Sequence, residues 1–448
     1  MKNFLNTLQN IWKIEDLRTR ILNTLGFILI YRIGSFVVLP GLDPAKLGAL
    51  QAQTSDGILG LLNMFSGGAF SNASIFALGI MPYISASIVL QLAGMAVPAL
   101  QKLQKEGESG RKKIAQYTRY LTILITAGQA PGYIANLQSQ LPTDAFLTSP
   151  SLFWFTAWLI LITGTVFVMW LGERITDKGI GNGISLLIMV GIIAALPFSF
   201  MAEFFSKLEQ SGGGLVIFLI EMVVLMLVIV FSILLVQGTR RIPVQVARAA
   251  ISGRQALPQG GTRQYIPLKV NAAGVMPIIF AQAIMFVPIT LGGFAGESAS
   301  WFVTAFSDFT GPTYNITFFL LIIIFTYFYT AITINPNQMA EDMKRNGGFI
   351  PGVKPGKRTA EYIDNIMSRI TLPGSIFLGI IAILPSFAMI FGVNAQFAQF
   401  YGGTSLLIMV GVVLDTLQQI ESHLLMRHYD GLMKSGRIKG RSSMSMSA

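Results

Sequence analysis

Apolar side chains along this chain fall in long runs, not in the 3.6-residue or two-residue alternation of a soluble helix or strand. Residues 57–101, 270–296, 309–340 and 370–414 contain no Asp, Glu, Lys or Arg. A bilayer crossing takes about 20 apolar residues, so each stretch is long enough to hold a span. Divided at Gly, Pro and charge, the runs predict ten spans, near 21–39, 74–97, 119–137, 152–171, 183–201, 214–236, 271–291, 316–334, 371–391 and 404–421. Between the first two, residues 58–70 form an apolar piece too short to cross and ending in Gly67-Gly68, which predicts a re-entrant segment. Irregular backbone at membrane depth survives only against protein or a water-filled cavity, so this piece points to a cavity. Residues 1–20 set Phe4, Leu8, Ile11, Trp12 and Ile14 at helical spacing among Lys2, Lys13, Arg18 and Arg20, predicting an interfacial amphipathic helix. Glu15 and Asp16 stand where a signal peptide would be basic, so the N-terminus reads as mature.

Composition narrows the class further. Of 448 residues, 52% are hydrophobic and 12% charged, where a soluble domain carries about 25% charged residues. With a mean hydropathy of +0.61, a water-soluble globule is excluded. Cysteine is absent, which removes disulfides, thiol catalysis and thiolate metal sites. The net charge of +11 would signal nucleic-acid binding in a soluble protein; in a membrane protein its distribution matters more.

That distribution sets an orientation. Basic residues follow the even-numbered spans: Lys102, Lys105 and 111–113 after the second, Arg174 and Lys178 after the fourth, six in 237–270 after the sixth, six between 344 and 369 after the eighth, and five more near the C-terminus. The opposite loops hold only Lys46 and Lys207. Both termini are therefore expected to be cytoplasmic, and the alternation fits an even number of spans. The predicted organisation is an interfacial helix at 1–20, an N-terminal half at 21–201, an external connection at 202–213, a C-terminal half at 214–421 and a cytoplasmic tail at 422–448. Two halves of five spans must enter the membrane in opposite senses, the logic of inverted-repeat transport proteins.

Catalytic chemistry has little support. His423 and His428 are five apart and cannot share a helical face as a metal pair would. Ser109 in Gly107-Glu-Ser-Gly110 sits among charged residues, where a polar turn is the simpler reading than an intramembrane protease. Walker, His-Glu-x-x-His and Gly-x-Ser-x-Gly patterns are missing. Inside the spans lie Arg32, Glu221, Asp415 and Glu421, scattered where an ion-coupled solute transporter would cluster its acids at the midplane. Arg32 reads as a structural or snorkelling side chain. Two long basic loops stand out instead. Residues 237–270 carry six basic residues and no acid, and residues 335–370 end in a Gly/Pro-rich tip at 347–356. Both look like docking surfaces for an acidic or RNA-rich partner, since lipid contact and orientation do not require loops of this length.

Six motifs, in order, carry a resemblance: 65–87 (Phe-Ser-Gly-Gly-Ala-Phe through Gly-Ile-Met-Pro-Tyr-Ile), Lys105-Glu-Gly-Glu-Ser-Gly110, Gln116-Tyr-Thr-Arg-Tyr120, Gly179-Ile-Gly-Asn-Gly-Ile-Ser185, Pro267-Leu-Lys-Val-Asn271 and Tyr401-Gly-Gly-Thr-Ser405. From about Trp12 to the C-terminal tail the chain closely resembles the SecY/Sec61-alpha family, the channel-forming subunit of the Sec protein translocase. The resemblance implies an all-α polytopic protein whose ten helices form two inverted halves around an hourglass pore, with a plug helix and a lateral gate. The pore ring would be Ile80, Ile84, Ile184, Ile188, Ile279 and Ile408, and the plug Leu61, Leu62, Met64, Phe65, Gly67 and Gly68. Ile80/Ile84 and Ile184/Ile188 are i, i+4 pairs that put two β-branched side chains on one helical face. Brought together, such isoleucines would make a gasket without fixed hydrogen-bonding groups, able to close by dewetting. Taken alone, an isoleucine in a span most often faces lipid or a neighbouring helix.

Ser87, Gln91, Gln129 and Gln282 are polar residues placed to line the gate, with generic interhelical hydrogen bonding as the plainer alternative. Partner contacts would fall to Arg240, Arg241, Arg248, Arg254, Arg263, Lys354, Lys357 and Arg358, where Lys354 stands in place of the family's usual Arg. The family's partners are SecE, SecG, the motor ATPase SecA, the ribosome and signal-bearing precursor polypeptides, and the basic loops would also meet anionic lipids. The function implied is passage of unfolded chains across the cytoplasmic membrane and lateral release of transmembrane segments, with no enzyme activity and no cofactor. The competing class is a small-solute secondary transporter, which would need a polar midplane site.

Overall fold

The computed structural model describes residue 12, residues 14–48, 50, 60, 63–209, 213–246, 263–282, 284–285, 306, 308 and 310–434. The fold is mainly helical. Its principal helices are α1 (Glu15–Gly34), α2 (Met81–Ala96), α3 (Pro98–Lys105), α4 (Glu108–Gln140), α5 (Pro150–Lys178), α6 (Gly183–Glu209), α7 (Gly214–Gln237), α8 (Pro312–Thr333), α9 (Pro336–Arg345), α10 (Lys357–Ile390) and α11 (Gly403–Lys434). A further helical run occupies 276–282. Two compact units partition the chain: one of 1–53, 62–194 and 412–448, the other of 54–61 and 195–411.

Among the described residues, six helices are both long and apolar enough to cross a membrane, and α2 with α3 makes a seventh if that bent pair is one span. Against ten expected spans, the shortfall has a physical source. α1 opens on Glu15 and Asp16 and ends on Arg32, and α4 includes Arg111, Lys112, Lys113, Arg119 and Gln129. Both are long enough, at 20 and 33 residues, but too polar to pass on hydropathy. The expected span at 271–291 lies partly outside the described residues.

The buried threonines of α4 are satisfied within the helix. Thr118, Thr122 and Thr126 are buried at four-residue spacing, and each hydroxyl donates to the carbonyl one turn back at 2.7–2.9 Å. Thr326 and Thr330 of α8 do the same. This lets a stripe of hydroxyls pack against neighbouring helices without orphaned donors.

Several boundaries differ from the sequence expectation. α1 begins at Glu15 and runs on without a break at residue 20, then stops at Gly34, so residues 36–39 leave the helix. Residues 66–80, partly assigned to the second span, form consecutive turns, and α2 starts at Met81 with Pro82 in its first turn, where a missing N–H costs nothing. The basic stretch after it is helical in α3 and the start of α4; Ser109 lies in the first turn of α4, after Gly107.

In the first unit the buried core draws on Tyr31, Phe76, Ile134, Leu137, Phe153, Leu161 and Leu171. In the second, Leu235, Ile278, Ala281, Met285, Tyr314, Phe318, Ile322, Leu378, Ile381 and Leu407 form one cluster from α7, the 276–285 region, α8, α10 and α11.

The helical class holds, with an addition the periodicity did not predict. The two basic loops fold together as a three-stranded antiparallel sheet in the order β2-β1-β3, with β1 at Thr239–Val246, β2 at Arg263–Lys269 and β3 at Gly348–Phe349. β1 pairs with β2 from Thr239↔Lys269 to Gln245↔Arg263, and with β3 only at Gln245↔Phe349 and Val246↔Gly348. Pro243 therefore sits where β1 has no neighbour on its β3 side, the position a central strand can give to proline. Ile242, Val244 and Leu268 turn one face of this sheet inward onto Met343 of α9, Ile350, and Ile363 and Met367 of α10. At 1.5 Å per residue, the 34 residues of α10 extend about 51 Å against a hydrocarbon thickness of about 30 Å. Its N-terminal turns thus serve as scaffold for the sheet rather than as membrane span.

Candidate functional site

Turns 66–80 are tied into the first unit by contacts that explain why this segment is not a helix. Gly67 has φ +65° and Gly68 φ +88°, the left-handed region open to glycine. A Cβ on Gly67 would lie 2.9 Å from the Cα of Gly191 in α6, and one on Gly191 would meet Gly67 N and Phe65 O at 3.1 Å. The two backbones touch because neither residue has a side chain. Tyr31 donates its hydroxyl to Ser66 O at 3.1 Å, Arg32 Nη1 donates to Gly67 O at 2.8 Å, and Tyr133 donates to Phe70 O at 2.8 Å. The Arg32 guanidinium also lies 5.3 Å from the Phe36 ring centre. Arg32 is thus structural, as its bland reading held, and its partner is a backbone carbonyl of the predicted plug region.

Of the predicted plug residues, Met64 and Phe65 are buried, Gly67 and Gly68 form the turn just described, and Leu61 and Leu62 lie outside the described residues. Ile188 is buried on α6, three residues before Gly191 and so on the same helical face.

The Gly179–Gly183 motif is a turn held from four sides. Arg20 Nη1 donates to Gly179 O at 3.4 Å, and Thr24 Oγ1 accepts from Ile180 N at 3.1 Å. Gln419 Oε1 accepts from Gly181 N at 2.9 Å, and Thr176 Oγ1 accepts from Gly183 N at 2.9 Å. Asn182 Oδ1 caps the start of α6 through the amides of Ile184 and Ser185. Ile184 and Ile188 are therefore presented by a helix whose first turn is fixed by α1, α5 and α11.

The remaining ring candidates fall as follows. Ile80 is buried at the residue before α2, and Ile84 follows one turn later, its amide bonded to Ile80 O at 3.1 Å. Ile184 packs on Gly172 of α5. In the second unit, Ile279 is half-buried in the 276–282 run and Ile408 is buried in α11. Among gate candidates, Gln91 Nε2 donates to Ser87 Oγ at 3.1 Å, so these two satisfy each other along one helix. Gln129 is exposed, and Gln282 is buried beside a cavity of about 20 Å³ shared with Tyr314, Gln399 and Ser405.

Of the predicted docking residues, Arg240 and Arg241 are exposed on β1, and Lys354, Lys357 and Arg358 are exposed at the 347–356 tip and the start of α10. Thr359 Oγ1 closes the tip by donating to Lys354 O at 3.0 Å. Arg263 starts β2, while Arg248 and Arg254 lie outside the described residues.

The two lone cations of the opposite loops are both paired. Lys46 Nζ reaches Asp144 Oδ2 at 3.4 Å and the Asp144 carbonyl at 3.0 Å. The Asp144 carboxyl is held below its usual range by a backbone hydrogen bond of its own and by Lys46. Lys207 is not a loop residue: it lies in the last turn of α6, buried, with Glu221 as its partner at 3.0 Å. Sequence reasoning left Glu221 without a role because its partner is 14 residues away on another helix; an isolated acid in an apolar run was the only available signal.

These features define a polytopic, mainly helical membrane protein with a basic sheet-and-helix platform. The SecY family profile matches residues 74–417. The protein translocase subunit SecY of Streptomyces scabiei is 44% identical over 94% of this chain and 98% of its own, and that of Halalkalibacterium halodurans is 44% identical over 96% and 99%. Among solved structures, one described as a protein conducting channel aligns with a TM-score of 0.60 at 18% identity, covering 90% of this chain and 92% of that one. Sec61 from a canine ribosome-channel complex aligns at 0.58 and 17% identity, with the same coverage. The chain belongs to the SecY family.

Proposed function

We propose that this chain is the channel subunit of a protein translocase, moving unfolded secretory polypeptides across the cytoplasmic membrane and releasing transmembrane segments sideways into lipid. The observation that carries this reading is 44% identity over nearly the whole length of relatives named as protein translocase subunits. Ile80, Ile84, Ile184, Ile188, Ile279 and Ile408 form the constriction. Such a ring grips no sequence, because β-branched aliphatic side chains offer a passing chain no fixed hydrogen bonds, and it closes by dewetting. The segment from Leu61 to Gly68 plugs it, and Ser87, Gln91, Gln129 and Gln282 border the lateral exit. The Ser87–Gln91 hydrogen bond supports a weak seam, since side chains satisfied along one helix do not need a partner across the gate. Net hydrogen bonds between membrane helices are in any case worth only about 0.6 kcal/mol on average.

Both termini and the basic platform face the cytoplasm, following the excess of Lys and Arg in those loops. Arg240, Arg241, Arg248, Arg254, Arg263, Lys354, Lys357 and Arg358 dock SecA or the ribosome; ribosome-bound channels among the structural neighbours support the second partner. SecE and SecG complete the complex, anionic lipids border the basic loops, and the energy comes from the partners or the membrane potential.

Absence of cysteine makes the test clean. Single cysteines at Ile84 and Ile408 are expected to form disulfides with a translocation-arrested precursor carrying one cysteine, while a control cysteine at Leu227 of α7 does not. If neither ring position reacts with a precursor shown to be bound, the constriction is elsewhere.

A further inference from the structure

The second unit contains a charged cluster outside the proposed channel and docking residues. Glu203 and Lys207 lie four residues apart on α6, Glu221 on α7. Their exposures are 1%, 5% and 8%. Lys207 Nζ makes three contacts: Glu221 Oε1 at 3.0 Å, Glu203 Oε1 at 3.5 Å and the carbonyl of Gly392 at 2.9 Å. The contact with Gly392 O is a hydrogen bond, and the two with the carboxylates are ion pairs. Glu203 Oε2 accepts the amide of Asn394 at 2.9 Å. Both oxygens of Glu221, and Oε1 of Glu203, are buried and accept no hydrogen bond among the described residues.

Charge and donor accounting agree on what is missing. Two carboxylates against one ammonium leave a net charge of −1 in a buried site between membrane helices, where an uncompensated charge costs several kcal/mol. The carboxyl groups of Glu203 and Glu221 also approach the same ammonium, at 3.5 and 3.0 Å, which brings them close to each other. Two ionised carboxylates are both acceptors, so that approach is repulsive until one of them carries a hydrogen. The Tyr401 hydroxyl, on a residue 4% exposed, is a further buried polar group with no partner among the described residues.

We propose that Glu203, Lys207 and Glu221 form a proton-binding site, in which one proton carried by Glu221 makes the buried cluster neutral at physiological pH. Among the described residues, the titratable groups at the cluster are Glu203 and Lys207 from α6 and Glu221 from α7, with Tyr401 in the turn before α11. The bound proton lets Lys207 and Glu203 hold the 392–394 turn against α6, through Gly392 O and Asn394 N. Its loss leaves two negative charges facing each other and loosens that tie. The folded state then binds one more proton than the unfolded chain at neutral pH, so stability falls as pH rises.

The test is infrared difference spectroscopy on the full-length chain in lipid nanodiscs. At neutral pH the wild type should show the carbonyl stretch of a protonated carboxyl in apolar surroundings, shifting in heavy water and bleaching at alkaline pH. Glu221→Gln should abolish it, Glu203→Gln should shift or abolish it, and Asp144→Asn, on an exposed loop, should leave it unchanged. Thermal unfolding should show a melting temperature that falls between about pH 6 and about pH 9 in the wild type and stays flat in Glu221→Gln. Absence of the band at neutral pH overturns the proposal, as does a band that survives both Gln variants. A wild-type melting temperature independent of pH over that range overturns it equally, and needs no variant to fold.

Discussion

At the scale of single residues, the contact between Gly67 and Gly191 separates two requirements that usually coincide. Gly67 and Gly107 both have positive φ, at +65° and +71°. A Cβ on Gly67 would press within 2.9 Å of the Gly191 backbone, while one on Gly107 would meet nothing within 4 Å. Gly107, at ψ −132°, lies outside the left-handed helical well in a region nearly exclusive to glycine, so Gly107→Ala should cost only that backbone strain, about 1–3 kcal/mol. Gly67→Ala should add an overpacking term of about 1–3 kcal/mol. Thermal unfolding of the two variants in detergent measures the difference; equal losses would mean that the close approach carries no energy. The glycines were visible in the sequence, but the need for them was not, since Gly191 lies 124 positions away and the two meet only once α6 is packed.

At the scale of elements, the two basic loops read from sequence as separate projections, and their Gly/Pro-rich tip at 347–356 forms turns around the short strand β3. What sequence reading missed was their union. β1 alternates buried Ile242 and Val244 with exposed Arg241 and Pro243, a strand pattern obscured by the proline and by the charge that drew attention first. β3 is two residues long and carries no periodicity at all. The platform has its own core, so Ile242→Ala should cost about 2–5 kcal/mol there and open it locally. The expected result is faster tryptic cleavage at Arg240, Arg241 and Lys269 with the membrane helices still resistant. Uniform loss of resistance across the chain would show that the platform is not an independent layer.

At the scale of the whole molecule, basic residues on the platform and the pairing of both Lys46 and Lys207 with acids leave the free positive charge concentrated in one set of loops. Docking of a ribosome on this surface should then be dominated by phosphate contacts. Association measured in nanodiscs should weaken by about 10³-fold or more between about 50 mM and about 200 mM salt, as for a protein with six or more such contacts. Arg240→Glu with Arg241→Glu should flatten that slope, and a salt-independent affinity would rule out the electrostatic docking surface.

Hydropathy and charge by themselves determined the membrane class, most span positions and the basic loops, because burial in lipid writes long apolar runs directly into composition, and local motifs pointed to the family. The tertiary structure decided which polar residues inside those runs are tolerated. Arg32 donates to a carbonyl 35 positions away, and Glu221 forms an ion pair with Lys207 from the neighbouring helix. Hydropathy is a local sum, whereas desolvation of a polar group is settled by its partner, and no local pattern in the chain records where that partner will be.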